Sequence, residues 1–284
     1  MHKIILDTDI GTDVDDALAL AVLLGSKDVD LIGITTVYGD TRLRSQIAMS
    51  LCSMASRDIP TFMGEGAPIS GDAVWVSGLE GKNFTDLESF TPQPKSAVDF
   101  LVESVTAQPR SIDLIAIGPL TNIARAIQSS KDFEKCVKRV WIMGGDFSQL
   151  RVEHNIKCDI DAAKVVLESK LPISILDLPH SQKTIINMKE IEQISKAPVF
   201  GTLLHAEIIS WVEPRKQDWT IPHDPIAILS LLNPEFFEIS AAGQVRIDPD
   251  GFSFWNESPN GNVVLVNPIH PKAAVQRLIE LITS

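Results

Sequence analysis

The chain has 284 residues, 44% of them hydrophobic and 22% charged, an ordinary globular composition in a chain long enough to bury a substantial core. Its formal net charge of -12 argues against nucleic acid or an anionic membrane as a default partner, because phosphate contacts are made by clusters of Lys and Arg. Cys52, Cys136 and Cys158 show no CxxC spacing, no apolar run approaches the roughly 20 residues of a membrane span, and no signal-peptide pattern precedes the first strand. The expectation is a cytoplasmic protein without a disulfide framework.

In chain order, "KIIL" (3–6) reads as a strand and "DDALALAVLLGS" (15–26) as a helix, with Ala17, Leu18, Ala21 and Leu24 at helical spacing. "DLIGITTVYG" (30–39) then leads to "RLRSQIAMSLCSMA" (42–55). Residues 64–94, rich in Gly, Ser and Pro, read as a long loop, and loops of that length are usually functional. "IDLIAIG" (112–118) leads to "LTNIARAI" (120–127), and "RVWIMGG" (139–145) is followed after a loop by "DAAKVVLES" (161–169). "QVRID" (244–248) and "NVVLVN" (262–267) predict a late hairpin or an edge of the sheet.

Short β-rich runs alternating with helical patterns predict βαβ units. The fold class is therefore α/β, an open, mostly parallel Rossmann-like sheet flanked by helices. No linker divides the chain, so residues 1–284 read as a single domain. Ligands of such sheets bind beyond the carboxyl ends of the strands. The polar oddities fall there: Asp7 and Asp9 end the first strand, Asp40 lies beyond the second, and Gly118–Asn122 and Gly144–Asp146 end two others.

Asp7, Asp9, Asp13, Asp15 and Asp16 crowd into ten residues between an apolar strand and an apolar helix. Helix capping explains one or two of them, but not Asp7 and Asp9 as well. A hard divalent cation with oxygen ligands is the natural neutraliser, and the lack of neighbouring Cys or His disfavours zinc. From chemistry alone, Asp7-Thr8-Asp9 also fits the start of an aspartate-nucleophile phosphatase motif, although Gly11 stands where those enzymes carry Thr or Val and the Asp15-Asp16 pair has no role there.

"DTDIGTDVDDALAL" (7–20) resembles the D-x-D-P-G-x-D-D-A signature of the nucleoside hydrolases, the inosine/uridine-preferring ribohydrolases. "GITTVYGD" (33–40), "IPTFMGEGAP" (59–68), "AIGPLTNIA" (116–124), "WIMGGDF…VEHNIKCDIDAAK" (141–164) and "HDPIAILSLLNPEFF" (223–237) match further family stretches in the same order. The resemblance implies Ca²⁺-dependent hydrolysis of a nucleoside's N-glycosidic bond, giving a free base and ribose in purine or pyrimidine salvage. It makes Asp9 a calcium ligand and the base that deprotonates water, Asp16 a bidentate ligand, Thr121 a backbone-carbonyl ligand and Asp224 a further ligand. Asp15, Glu153 and Asn155 fall on ribose-binding positions, Met143 on the sugar pocket, and His223 beside the leaving base. It also implies a homodimer or homotetramer acting on a small molecule.

Departures from the family pattern are specific. Ile10-Gly11 replaces Pro-Gly, and two additional residues precede Asp15-Asp16, which leaves Asp13 as an alternative ribose contact. Asp40 replaces the usual Asn of a substrate-binding position, and Ser77 replaces a His that often precedes Gly. Altered loops leave open a non-catalytic nucleoside- or ribose-binding protein. His154, His180, His205 and His270 read as surface or core residues. Among the tryptophans, Trp75 and Trp219 are better placed than Trp211 to stack on a base.

Overall fold

The computed structural model describes residues 1–148 and 151–284. Its strands are β1 (His2–Thr8), β2 (Val29–Thr36), β3 (Thr61–Met63), β4 (Ile112–Ala116), β5 (Arg139–Met143), β6 (Ile173–Leu176), β7 (Ile186–Asn187), β8 (Trp219–Thr220), β9 (Phe237–Ile239), β10 (Gly243–Ile247), β11 (Ser253–Glu257) and β12 (Val263–Pro268). Its helices are α1 (Asp15–Gly25), α2 (Thr41–Met54), α3 (Ala97–Ala107), α4 (Thr121–Ser129), α5 (Phe133–Cys136), α6 (His154–Cys158), α7 (Ile160–Leu167), α8 (Leu178–Ser181), α9 (Met188–Ile194), α10 (Gly201–Val212), α11 (His223–Leu232) and α12 (Pro271–Thr283).

The main sheet runs β3-β2-β1-β4-β5-β6-β12-β10-β11, with β9 paired to β12. From β3 to β12 every neighbouring pair is parallel, and β10, β11 and β9 add antiparallel pairings at the far end. β1 is central, and Ile4, Ile5 and Leu6 are buried on both faces, which is why the strand is a continuous apolar run and not an alternation. One core packs α1, α2 and α9 to α12 on one face, and a second packs α3, α4 and α7 on the other. α1 is buried from Asp15 to Leu24, as expected of a helix apolar on all sides. Its end comes so close to α12 that a Cβ on Gly25 would lie 1.9 Å from the Leu281 carbonyl oxygen.

The chain runs outward from β1 to β2 and β3, then crosses back to build β4, β5 and β6 on the opposite side. β1 and β4 are thus the point where strand order reverses, and an open crevice forms beyond their carboxyl ends. At the other end of the sheet the two runs expected as a late hairpin or an edge do pair antiparallel, β10 with β12 at Gly243 and Val263. The run at 262–267 is not an edge, because β12 pairs with β6 in parallel. The edge is β11, whose "SFWNE" carries no alternation and gave no strand signal. Residues 64–94 form the expected long loop. Among its ties to the rest of the protein, Trp75 N donates to the Tyr38 hydroxyl at 2.8 Å, and the Asn83 side-chain amide donates to Glu207 Oε1 at 2.7 Å.

Candidate active site

β1 ends with its register beside β2 and β4, and the following turn carries Asp9, Thr12 and Asp13 into the crevice before α1 begins. α1 opens with Asp15 and Asp16, so two carboxylates sit on the positive end of the helix dipole. No side chain caps α1 at Val14, although Asp13 Oδ1 accepts from Asp15 N at 3.2 Å. Thr8 Oγ1 donates to Asp16 Oδ1 and fixes that carboxylate against the end of β1. Asp13, Asp15 and Asp16 present carboxylate oxygens that all lie within 4.8 Å of one another.

The opposite wall comes from later strand ends. Glu153 caps α6, with Oε1 accepting from Asn155 N at 2.9 Å and Oε2 from Ile156 N and Gly145 N, each at 3.1 Å. The Asn155 amide donates to the carbonyls of Ile117 at 2.8 Å and Met143 at 3.2 Å, which leaves its Oδ1 as an acceptor. α11 contributes His223 and Asp224 from its first turn. Asp9, Asp13, Asp15, Asp16, Met143, Glu153, Asn155, His223 and Asp224 line one cavity of 260 Å³ together with Thr12, Ile117, Leu178, His154, Trp75 and Trp211.

Burial dominates the electrostatics. It pushes the Asp9 carboxyl up to about 6, against the pull of the Arg44 guanidinium. Burial, reinforced by repulsion among the neighbouring carboxylates, holds Asp15, Asp16 and Asp224 well above the usual carboxylate range. Such a set is costly without protons or a cation to neutralise it. The carboxylates of Asp13, Asp15 and Asp16 are hard oxygen donors within reach of a shared centre, and with Asp9 and Asp224 lining the same cavity they suit a divalent ion of the Ca²⁺ or Mg²⁺ type. Burial also lowers His223 to about 4, so its ring is neutral at pH 7. The Ser181 hydroxyl donates to the Leu178 carbonyl at 3.0 Å and meets His223 Nδ1 at 2.7 Å. The contact fixes the orientation of the His223 ring at the cavity wall.

Two residues expected in the site are elsewhere. Asp40 is exposed and caps α2, accepting from Leu43 N at 2.9 Å. Thr121 is the first residue of α4, where a carbonyl points along the helix towards its own C-terminus. Its hydroxyl donates to Asp159 Oδ2 at 2.7 Å, and it does not line the cavity. The lining residue on that loop is Ile117, four positions earlier, at the end of β4. Asp7, the nucleophile of a phosphatase reading, also lies outside the cavity. Its Oδ1 accepts from Thr35 Oγ1 at 2.5 Å and Asn122 Nδ2 at 2.7 Å, and its buried Oδ2 has no partner among the described residues.

Sequence reading also missed part of the rim. His154 lines the cavity and meets Trp75 edge-on, with ring centroids 5.2 Å apart. Trp211 lines it too, one face covered by Arg215 at 3.4 Å. Trp219 lies in an adjoining recess with Gln217 and Thr220. Spacing carries no signal for these residues, which meet only through packing of the long loop on α6 and α10.

Comparison with known proteins agrees with this geometry. A sequence profile described as inosine-uridine preferring nucleoside hydrolase matches residues 4–272. The chain is 29% identical over 274 residues to a probable uridine nucleosidase 2 of Oryza sativa subsp. japonica, covering 88% of this chain and 79% of the rice protein. It is 30% identical over 273 residues to uridine nucleosidase 1 of Arabidopsis thaliana, with the same coverage of 88% and 79%. A solved plant nucleoside hydrolase superposes with a TM-score of 0.90 at 25% identity, covering 100% of this chain and 99% of the plant one.

Proposed function

The chain belongs to the inosine-uridine preferring nucleoside hydrolase family, an N-ribohydrolase that cleaves the N-glycosidic bond of ribonucleosides, and from that premise we propose a Ca²⁺-dependent reaction in which Asp9 is the base that deprotonates water. The observation that carries this reading is the convergence of Asp9, Asp15, Asp16, Glu153, Asn155 and Asp224 from three separate segments on one cavity at the reversal of strand order.

Asp9, Asp16 and Asp224, with Asp13 beside them and the Ile117 carbonyl nearby, would hold the ion. When bound, it supplies positive charge that acidifies and orients a water. Asp9 is suited to receive the proton at a carboxylate oxygen, because it lines the cavity beside the carboxylates that would hold the ion. Asp15, Glu153 and Asn155 offer acceptors to the ribose hydroxyls. Departure of the base leaves an oxocarbenium-like sugar, and the surrounding carboxylates stabilise that developing charge. The base leaves with the electron pair of the broken bond and takes up a proton, with neutral His223 beside it and Trp75 and Trp211 supplying aromatic surface. Water adds to the sugar directly, so no covalent enzyme intermediate is formed.

The sheet extends from residue 2 to residue 268, which supports a single catalytic domain over 1–284. The net charge of -12 and free cysteines support a cytoplasmic role in base salvage, and among the described residues no helix is long and apolar enough to cross a membrane. The proposed assembly is a homodimer or homotetramer, tested by sedimentation.

The functional test is release of reducing sugar from uridine, cytidine, inosine and adenosine. We expect release from at least one nucleoside, its loss after chelation, and its recovery with Ca²⁺ in preference to Mg²⁺. Full activity after exhaustive chelation refutes the metal assignment. Tight nucleoside binding without release refutes the hydrolytic reading and identifies a binding protein.

A further inference from the structure

The largest fully buried side chain among the described residues is a charged one, Arg44 in the first turns of α2. Burying a guanidinium costs several kcal/mol unless its donors are satisfied and its charge is offset, and the reaction described above assigns it no role. Its hydrogen bonds go to backbone carbonyls. Nε donates to Tyr38 O at 2.6 Å, and Nη1 donates to Ile10 O at 3.0 Å and to Asp9 O. Among the described residues, none goes to a carboxylate. The charge still acts on the cavity, drawing the carboxyls of Asp9 and Asp16 downward against burial.

The two loops that Arg44 joins have different duties. One is the exit of β1, which carries Asp9. The other is the exit of β2, where Tyr38 sits at φ 66°, a left-handed conformation strained for a bulky side chain. The Tyr38 hydroxyl accepts from Trp75 N at 2.8 Å, and Trp75 lines the cavity. A planar fork with donors at fixed angles can hold two backbones at once, whereas a lysine ammonium is a flexible point charge.

We propose that Arg44 is a positioning residue of this active site, its fork locking the Asp9–Ile10 and Tyr38 backbones together so that the Asp9 carboxylate and the Trp75 ring address one substrate. The inference rests on the nucleoside hydrolase reading of the cavity. It extends that reading by making one buried cation responsible for the relative placement of the water-activating and base-binding sides.

The test compares the full-length protein with Arg44→Lys, which keeps the charge and loses the fork, and with Tyr38→Phe, which loses the hydroxyl that tethers Trp75. Near-ultraviolet circular dichroism confirms folding, nucleoside turnover gives kcat and KM, and calorimetric titration of chelator-treated protein with Ca²⁺ alone gives its affinity. For Arg44→Lys we expect kcat to fall about 100-fold, the scale of a displacement near 1 Å, and Ca²⁺ affinity to fall about 10-fold. For Tyr38→Phe we expect KM to rise about 5-fold, the lower end of a lost hydrogen bond's effect, with Ca²⁺ affinity unchanged. A folded Arg44→Lys with kcat and Ca²⁺ affinity both at parental values overturns the proposal, as does an unchanged KM in Tyr38→Phe should Arg44→Lys not fold. A parent protein that turns over no nucleoside refutes the functional reading, and the Ca²⁺ titration then still decides the role of Arg44.

Discussion

Replacing Asp9 by Asn preserves the shape of the side chain and deletes one buried charge, so it separates function from stability with opposite signs. Burial raises the Asp9 carboxyl from 3.8 to about 6, a difference of about 3 kcal/mol between ionised and neutral forms. A raised carboxyl makes a favourable contribution that is whole below pH 3.8 and is lost as pH rises through 6. At pH 7.5 the cation-free parent therefore bears the full cost and Asp9→Asn does not. For 284 residues the unfolding entropy is about 0.6 kcal/mol per kelvin, so the variant should melt about 5 °C higher than the parent. That gain should shrink as pH falls from 6 towards 4. Turnover should drop about 10²- to 10⁴-fold, the worth of a positioned base. Scanning calorimetry of chelator-treated protein at pH 4.5, 6 and 7.5, paired with the ribose-release assay, measures both effects. A variant that melts lower than the parent at pH 7.5, or that retains turnover, refutes the reasoning.

Two further substitutions probe the same wall by other means. Gly118→Ala places a Cβ 2.7 Å from Asp9 Oδ1 and 2.9 Å from Asp9 N, so Asp9 must move, and kcat should fall at least about 10-fold with little change in overall secondary structure. Glu153→Ala removes the acceptor of three backbone donors, those of Gly145, Asn155 and Ile156. It should destabilise by about 1–3 kcal/mol in denaturant titration, opposite in sign to Asp9→Asn although both carboxylates are buried.

The contrast between Asp9 and Glu153 also shows what could be read ahead of the structure. Asp9, Asp15 and Asp16 were legible because carboxylates have no reason to cluster at an apolar strand end, whereas Glu153, Asn155 and Asp224 stood out only through the resemblance to the family's motifs. Ile117 was not, because a backbone carbonyl leaves no trace in residue type, and Thr121 drew attention in its place. Asp40 was misread for a related reason. A carboxylate just beyond a strand is equally the cap of the next helix, and only the bond to Leu43 N distinguishes the two. His154 and Trp211 needed the long loop, α6 and α10 to be packed together before they became neighbours.

By itself the amino-acid order determined the α/β class, the central parallel strands and the carboxylate-rich junction at residues 7–16, since these follow from local periodicity and from the cost of clustered charge. It also determined that the clustered carboxylates would face the carboxyl end of the sheet, because strand direction fixes where each strand's last residues point. Only the tertiary structure decided which side chains share the cavity, that β12 is internal and β11 the edge, and that Arg44 lies beneath the carboxylates. Those are long-range relations. They depend on which strands become neighbours and on which loops their ends hold in contact, and no window of sequence contains both halves of any of them.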